Sequence, residues 1–427
     1  RNFGLFASRD ALGNLGPINR TDPGGDRDLQ AAVFANLGNE TRLLHKYNLL
    51  GQPSALLLGA RYYVGQTQMQ QGDANDSDGP DFAFINPGGP EISDFDFPSR
   101  NASFFAEQVI NFSPKFSATP GFRFEYIRTG SQGWYTERAF DLAGNLIFEQ
   151  TNFDTISKTR VFPLAGLGLS FKPKPELEAY ANISQNYRAI TFTDLRVENP
   201  NFRVDENLTD ERGYNADLGV RGAVGDWLNF DMSLFFLQYR QRIGQVLQVD
   251  SVTWQLYRFR TNIADAQNFG LEWYAEADLW RVFSGAPSKT RLGLFTNVAL
   301  IDAVYVDSEQ TAFDGKKVEM VPPLTVKAGL NFRHEAFKAT AQWSYTGEHF
   351  SDATNAVTTP TAVEGLIPSY QVVDLSFSYE WKLLQFETGV NNLLNELYFT
   401  RRASGYPGPG IIPSSGRSFY FTLQVKI

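Results

Sequence analysis

The last ten residues, Ser418-Phe-Tyr-Phe-Thr-Leu-Gln-Val-Lys-Ile427, alternate strictly between two faces. Successive side chains of an extended chain project to opposite sides, so Phe419, Phe421, Leu423, Val425 and Ile427 share one face. Ser418, Tyr420, Thr422, Gln424 and Lys426 share the other. About sixteen comparable segments recur along the chain. Leu177, Ala179, Ala181 and Ile183 oppose Glu178, Tyr180, Asn182 and Ser184; Phe230, Met232, Leu234 and Phe236 oppose Asp231 and Ser233. Phe122, Phe124 and Tyr126 oppose Arg123 and Glu125, and Val373, Leu375, Phe377 and Tyr379 oppose Asp374, Ser376 and Ser378. One such strand fits a soluble sandwich, whose apolar face looks into a core, as well as a barrel, whose apolar face looks at lipid.

The connections separate the two. Short polar turns fall near Leu50–Ser54, Ser113–Ser117, Lys172–Pro175, Ala223–Trp227, His334–Lys338 and Glu380–Leu383. Long polar stretches alternate with them, at about residues 10–35, 71–99, 133–157, 189–211, 304–322, 350–369 and 398–415. One shorter outer loop is expected near 242–254 and one longer inner turn near 281–288. Transmembrane barrels place short turns on the periplasmic side and long loops outside. The parity then sends the first strand outward and the last inward, and the fold class expected is an all-β antiparallel transmembrane barrel.

Composition removes the competing classes. No run of roughly 18 to 20 apolar residues is present to form a helical span. A mean hydropathy of -0.29 fits strands that are apolar on one face only. The formal charge of -9 leaves no basic stripe for nucleic acid. With no Cys there is no thiolate chemistry, and His45, His334 and His349 stand too far apart to form a metal site by spacing. No nucleophile elbow, Walker motif or dinucleotide fingerprint occurs in a suitable context, so the chain is not expected to be an enzyme. Asp73-Ala-Asn-Asp-Ser-Asp-Gly-Pro-Asp81 is acidic but lacks the Gly and Glu positions of an EF-hand, and reads as a solvated loop. The sequence starts at Arg1 with no secretory signal, as expected of a mature product or a fragment.

Four stretches carry a resemblance. Ala179-Tyr-Ala-Asn-Ile-Ser-Gln-Asn-Tyr-Arg-Ala-Ile-Thr-Phe-Thr-Asp-Leu195 leads through Asn199-Pro-Asn-Phe202 to Gly213-Tyr-Asn-Ala-Asp-Leu-Gly-Val-Arg221. Asn262-Ile-Ala-Asp-Ala-Gln-Asn-Phe-Gly-Leu-Glu272, Gly389-Val-Asn-Asn-Leu-Leu-Asn-Glu-Leu-Tyr-Phe-Thr-Arg401 and Pro120-Gly-Phe-Arg-Phe-Glu-Tyr126 are the others. In this order the chain resembles the C-terminal part of TonB-dependent outer-membrane receptors, those of the ferric dicitrate type in particular. The resemblance implies that residues 1–427 form about sixteen strands of a barrel of about 22. The plug and first strands that precede them in the family have no counterpart in this sequence, and the family's usual closing Phe is replaced by Ile427.

It further implies an active transporter in a Gram-negative outer membrane, in contact with lipid and lipopolysaccharide. Such a receptor binds a ferric chelate, ferric citrate first, and imports it to the periplasm with energy from TonB and its inner-membrane motor proteins. The chelate is cargo, and no cofactor is implied. A carboxylate-rich chelate is best held by Arg, amide and hydroxyl donors. The last outer loop, Thr400-Arg-Arg-Ala-Ser-Gly-Tyr-Pro-Gly-Pro-Gly410, is equivalent to one that contributes to binding in ferric citrate receptors. The resemblance thus nominates Arg401, Arg402 and Tyr406, followed by Arg188 and Arg196. Each Arg also fits a simple rim or lipopolysaccharide contact. A passive sixteen-stranded porin and an adhesion barrel remain as alternatives.

Physical reasons for several motif residues stand apart from ancestry. Asn391, Asn392 and Asn395 fall where a strand ends, so that their amides can satisfy backbone groups and a turn. Gly270 and Gly389 permit close approach between strands. Tyr398, Phe399, Tyr187 and Tyr406 are expected near the outer rim as an aromatic girdle.

Overall fold

The computed structural model describes residues 2–9, 15–16, 27–74, 83–140, 145–191, 194, 202–249, 256–285, 288–308, 311–359, 362–403 and 410–426. Its strands, in chain order, begin with β1 (Asn2–Arg9), β2 (Leu15–Gly16), β3 (Arg27–Leu49), β4 (Gln52–Ala74), β5 (Ser93–Asn111), β6 (Phe116–Phe140) and β7 (Leu146–Lys174). Then come β8 (Leu177–Arg188), β9 (Phe202–Val204), β10 (Glu211–Val224), β11 (Leu228–Val249), β12 (Leu256–Asp278), β13 (Thr290–Val306), β14 (Leu324–His334) and β15 (Phe337–Thr346). The chain finishes with β16 (His349–Phe350), β17 (Leu366–Ile367), β18 (Tyr370–Trp381), β19 (Leu384–Asn391), β20 (Phe399–Ala403), β21 (Gly410–Pro413) and β22 (Ser418–Val425). A short helix, α1 (Leu279–Ser284), joins β12 to β13.

Eighteen strands share one sheet, and two of them, β2 and β9, are only two and three residues long. The remaining sixteen meander antiparallel, each bonded to its neighbour in the order of the chain, as the alternation predicts. The registers explain why. Leu169, Ala181, Leu218, Leu234, Leu271, Leu300 and Leu324 pair in succession across seven strands, making one unbroken apolar row. Glu178, Arg221, Asp231, Tyr274, Asn297, Lys327 and Ser344 pair in the same way to make a polar row on the opposite face. A one-residue slip at any strand would carry charge onto the apolar face, so the register is fixed by the pattern itself. Many apolar side chains on the first face stand in the open, among them Leu218, Leu234, Phe269, Leu300, Phe377, Phe419 and Phe421. A soluble sheet would cover such a belt; a bilayer covers it without a second sheet.

The sheet has two edges. β1 pairs with β2 and β3, β22 pairs with β19, and among the described residues no ladder joins β22 to β1.

The strands run well past a membrane. A bilayer needs about 9 to 11 tilted residues, whereas β7 has 29 and β6 has 25. Two expected outer loops are thereby corrected. Residues 133–140 and 146–157 continue the ladder of β6 and β7, with Trp134 opposite Phe153 and Thr136 opposite Thr151. Most of 242–254 likewise belongs to β11, whose pairing with β12 runs on to Val249 opposite Leu256. Beyond the lipid neither face must be apolar, so alternation fades while backbone pairing persists.

Two glycines do what close approach requires. A Cβ on Gly270 would lie 2.4 Å from the Phe235 ring and 2.6 Å from the Leu300 carbonyl oxygen, and one on Gly389 would lie 2.5 Å from the Tyr420 ring. In each case an aromatic ring on the paired strand covers the bare backbone. Gly270→Val is expected to lower stability by about 1–3 kcal/mol through overpacking. The backbone oxygen cannot swing aside as a side chain does. Thermal loss of the compact, heat-modifiable band on gels reads this, and an unshifted transition would remove the argument.

Candidate functional site

The long connections gather at the end of the sheet opposite the short turns, and there the wall thickens into a packed rim. Val246 and Ile263 from β11 and β12, Ala303 and Tyr305 from β13, and Phe313, Val318 and Ala353 from the loops bury one another. The 304–322 and 350–369 stretches, expected as polar loops, thus also contribute to an apolar core above the belt.

A charged network lies alongside. Asp210 accepts both Nε and Nη2 of Arg160 at 2.8 Å, the Tyr187 hydroxyl at 2.5 Å and the Ile190 N–H at 2.8 Å. Both side chains of the ion pair are largely buried, at 8% and 11% exposure. Burial opposes ionisation of Asp210, yet the Arg160 guanidinium, the Ile190 N–H and the Tyr187 hydroxyl outweigh it and hold the carboxyl below its ordinary range. Asp194, 3% exposed, takes Arg188 at 3.0 Å and Arg260 at 3.1 Å. Arg188 also meets Glu211 at 2.9 Å, and Arg242 meets Glu319 at 3.1 Å while Glu319 accepts the Tyr305 hydroxyl. The Asp194 and Asp210 pairs stitch the 189–210 connection to β7, β8 and β12, while Glu319 ties the 304–322 connection to β11 and β13.

The motif Asn262–Glu272 explains itself here. Between Tyr239 and Ile243 the β11 register shifts, and Gln241 takes a positive φ of 54°. Asn262 braces this bulge, donating to the Gln241 carbonyl at 2.5 Å and accepting the Thr209 N–H at 2.9 Å. The Asp265 carboxylate accepts the Gln241 N–H at 2.8 Å. The closing motif works similarly. Asn392, buried, bonds both the carbonyl and the N–H of Glu396, at 2.9 and 2.8 Å, and Asn395 accepts the Arg417 N–H at 2.9 Å. Both Asn residues have positive φ, as a turn at the end of a strand demands.

The nominated ligand residues separate. Tyr406 and Arg196 lie outside the described residues. Arg188 is 42% exposed, and its charge is matched by Asp194 and Glu211. Arg401 and Arg402 are successive residues of β20 and so project to opposite faces. Arg402 donates to the carbonyls of Ala362 and Leu366, both at 2.8 Å, and stacks over the Phe399 ring at 5.1 Å. It fastens the last loop to the loop before it. Arg401 is exposed.

The histidines sit singly. His334 bonds Thr290, His349 bonds the Gly347 carbonyl and His45 stacks on Tyr47. Asp374 accepts the Asn392 N–H, and Glu387 accepts the Gln385 side-chain amide. The acidic stretch 73–81 is mostly outside the described residues.

Sequence comparison adds the family. The barrel model described as TonB dependent receptor-like matches residues 2–393. The chain belongs to the TonB-dependent receptor family. Its members are receptors and transporters, not enzymes. No curated protein sequence matches this one. Among solved structures, the unliganded ferric citrate transporter FecA superposes with a TM-score of 0.74 at 17% identity, over 94% of this chain and 56% of that one. The copper transporter OprC gives 0.71 at 14%, over 99% and 61%. The ferric yersiniabactin uptake receptor FyuA from Yersinia pestis gives 0.67 at 14%, over 94% and 55%. At such identities the likeness concerns the fold. The chain spans between about half and three fifths of the length of these solved structures.

Proposed function

We propose that residues 1–427 are the C-terminal part of the barrel of an outer-membrane active transporter. It captures a ferric chelate, ferric citrate as the first candidate, and delivers it to the periplasm with energy from TonB and its inner-membrane motor. The observation that carries this reading is the match of the family's barrel model to residues 2–393, joined to a sheet in which, among the described residues, no ladder joins β22 to β1. Open edges are not tolerated in lipid. A self-contained sixteen-stranded porin would pair β22 with β1, and among the described residues it does not. Strands supplied from outside these residues, about six for a barrel of about 22, close the wall in this reading, and a plug fills the lumen.

Ferric citrate is favoured because FecA is among the structures most like this chain and because the last outer loop presents an exposed Arg401 beside a braced Arg402. Uptake of radioiron-labelled ferric citrate by cells making the full-length protein tests it. Uptake is expected to vanish when TonB is deleted. Uptake that survives the deletion would overturn active transport, and absence of binding to purified receptor would overturn the chelate.

A further inference from the structure

Among the described connections at the periplasmic end, only the one between β12 and β13 is built as an α-helix. Both ends of α1 are specified. The Asp278 side chain caps its start by accepting the Arg281 N–H at 3.1 Å, and Gly285, with φ 65°, ends it by donating to the Arg281 carbonyl at 3.0 Å. Its orientation about its own axis is therefore fixed. At 3.6 residues per turn, Arg281 and Ser284 share one side, while Leu279, Val282 and Phe283 share the opposite one.

Arg281 faces the inside of the wall. It pairs with Asp226 at 2.6 Å and lines a hollow of about 400 Å³ together with Asn229, Glu276, Arg291 and Arg333. The four wall residues belong to the polar face that also carries Asp231, Tyr274, Asn297 and Lys327, because they sit an even number of residues from them on β11, β12, β13 and β14. With Arg281 turned inward, Leu279, Val282 and Phe283 are turned outward. Phe283 is 85% exposed and Val282 49%. The strand ends above them carry Phe230, Leu294 and Phe332 on the lipid face, so the apolar side of α1 extends the belt below the last ladder rung.

We propose that α1 is an interfacial anchor. It lies against the phospholipid leaflet at the periplasmic end of the barrel, with Val282 and Phe283 in the acyl boundary, while Trp280 lines the inner hollow beside Arg281. A polar turn would suffice to join two strands, as at Glu335 between β14 and β15. An apolar side chain left in water has no such reason, and amphipathic helices with aromatic residues bind this way. The occupant is lipid rather than a protein partner, because the uncovered face is continuous with the belt that lipid already covers.

The proposal rests on the reading that the wall stands in a bilayer, and the test separates the two. These 427 residues contain no Cys, so each spin label placed in them is single once any Cys elsewhere in the full-length protein is replaced by Ser. Phe283→Cys, Leu218→Cys on the belt and Lys115→Cys in the β5–β6 turn would be labelled in phospholipid vesicles. Collision with oxygen, which concentrates in lipid, is compared with collision with a water-soluble nickel chelate. Expected is oxygen preference at 283 and 218 and nickel preference at 115. If 283 prefers nickel while 218 prefers oxygen, the anchor is wrong and the wall reading stands. If 218 also prefers nickel, both fall. Val282→Cys serves in the same way should the Phe283 variant not fold.

Discussion

Asp210→Ala should loosen the outer rim by about 3–5 kcal/mol, the usual penalty for leaving one member of a buried ion pair without its partner. Arg160 is 8% exposed, and removal of the carboxylate takes both of its 2.8 Å bonds to Asp210. The Tyr187 hydroxyl and the Ile190 N–H lose their acceptor in the same step. The damage is local to the 189–210 connection, so the sensitive measurement is amide hydrogen exchange at Ile190, Leu208 and Ile243, which should quicken markedly. Unchanged exchange would mean that the cluster does not hold the rim. Arg160→Met combined with Asp210→Leu should recover much of the loss, because the penalty lies in the orphaned charge rather than in the missing attraction. The pH dependence has a definite sign. The Asp210 carboxyl is held below its ordinary range, so its contribution is complete above the unfolded carboxylate pKa near 4. It is lost as pH falls through the depressed folded value. Mild acid should leave the rim intact.

The wall was legible in the sequence where lipid imposes a one-sided pattern, and illegible above it. Leu177 to Ser184 and Ser418 to Val425 declared both their strand and their faces, because burial of one face in hydrocarbon forces alternation. Gly133 to Thr136 pair with Thr151 to Asp154 just as regularly, yet carry no such mark. There the ladder is kept by backbone bonds and by cross-strand contacts such as Thr136 with Thr151, and a sequence without one-sided alternation reads as a loop. The rim cluster was hidden for a different reason. Arg160 and Asp210 stand fifty residues apart, and no local pattern announces that β7 will meet the 189–210 connection at that height. Asn262, by contrast, was flagged by its motif, although its work of bracing the bulge at Gln241 became visible only in three dimensions. The nominated Arg pair was found by its loop, but adjacency in sequence concealed that a strand sends the two side chains opposite ways.

That division of labour at β20 yields the second large effect. Arg401→Ala is expected to weaken binding of ferric citrate about 10- to 100-fold. A hydrogen bond to a charged group is worth about 1.5–3 kcal/mol, and each 1.4 kcal/mol is about tenfold in affinity. Arg402→Ala should act differently, because its guanidinium is already committed to the carbonyls of Ala362 and Leu366. Its loss frees the 347–369 connection from the last loop, so faster hydrogen exchange at Leu366 and Ile367 should accompany any fall in affinity. Arg402→Lys should not restore the tie, since one ammonium cannot reproduce two divergent N–H bonds held in a plane. Titration calorimetry on the full-length single variants, with exchange measured on the same samples, distinguishes a ligand contact from a loop brace. An affinity unchanged in both variants would remove this loop from the binding site. A fall confined to Arg402→Ala, with exchange unaltered, would reverse the roles assigned to the two residues.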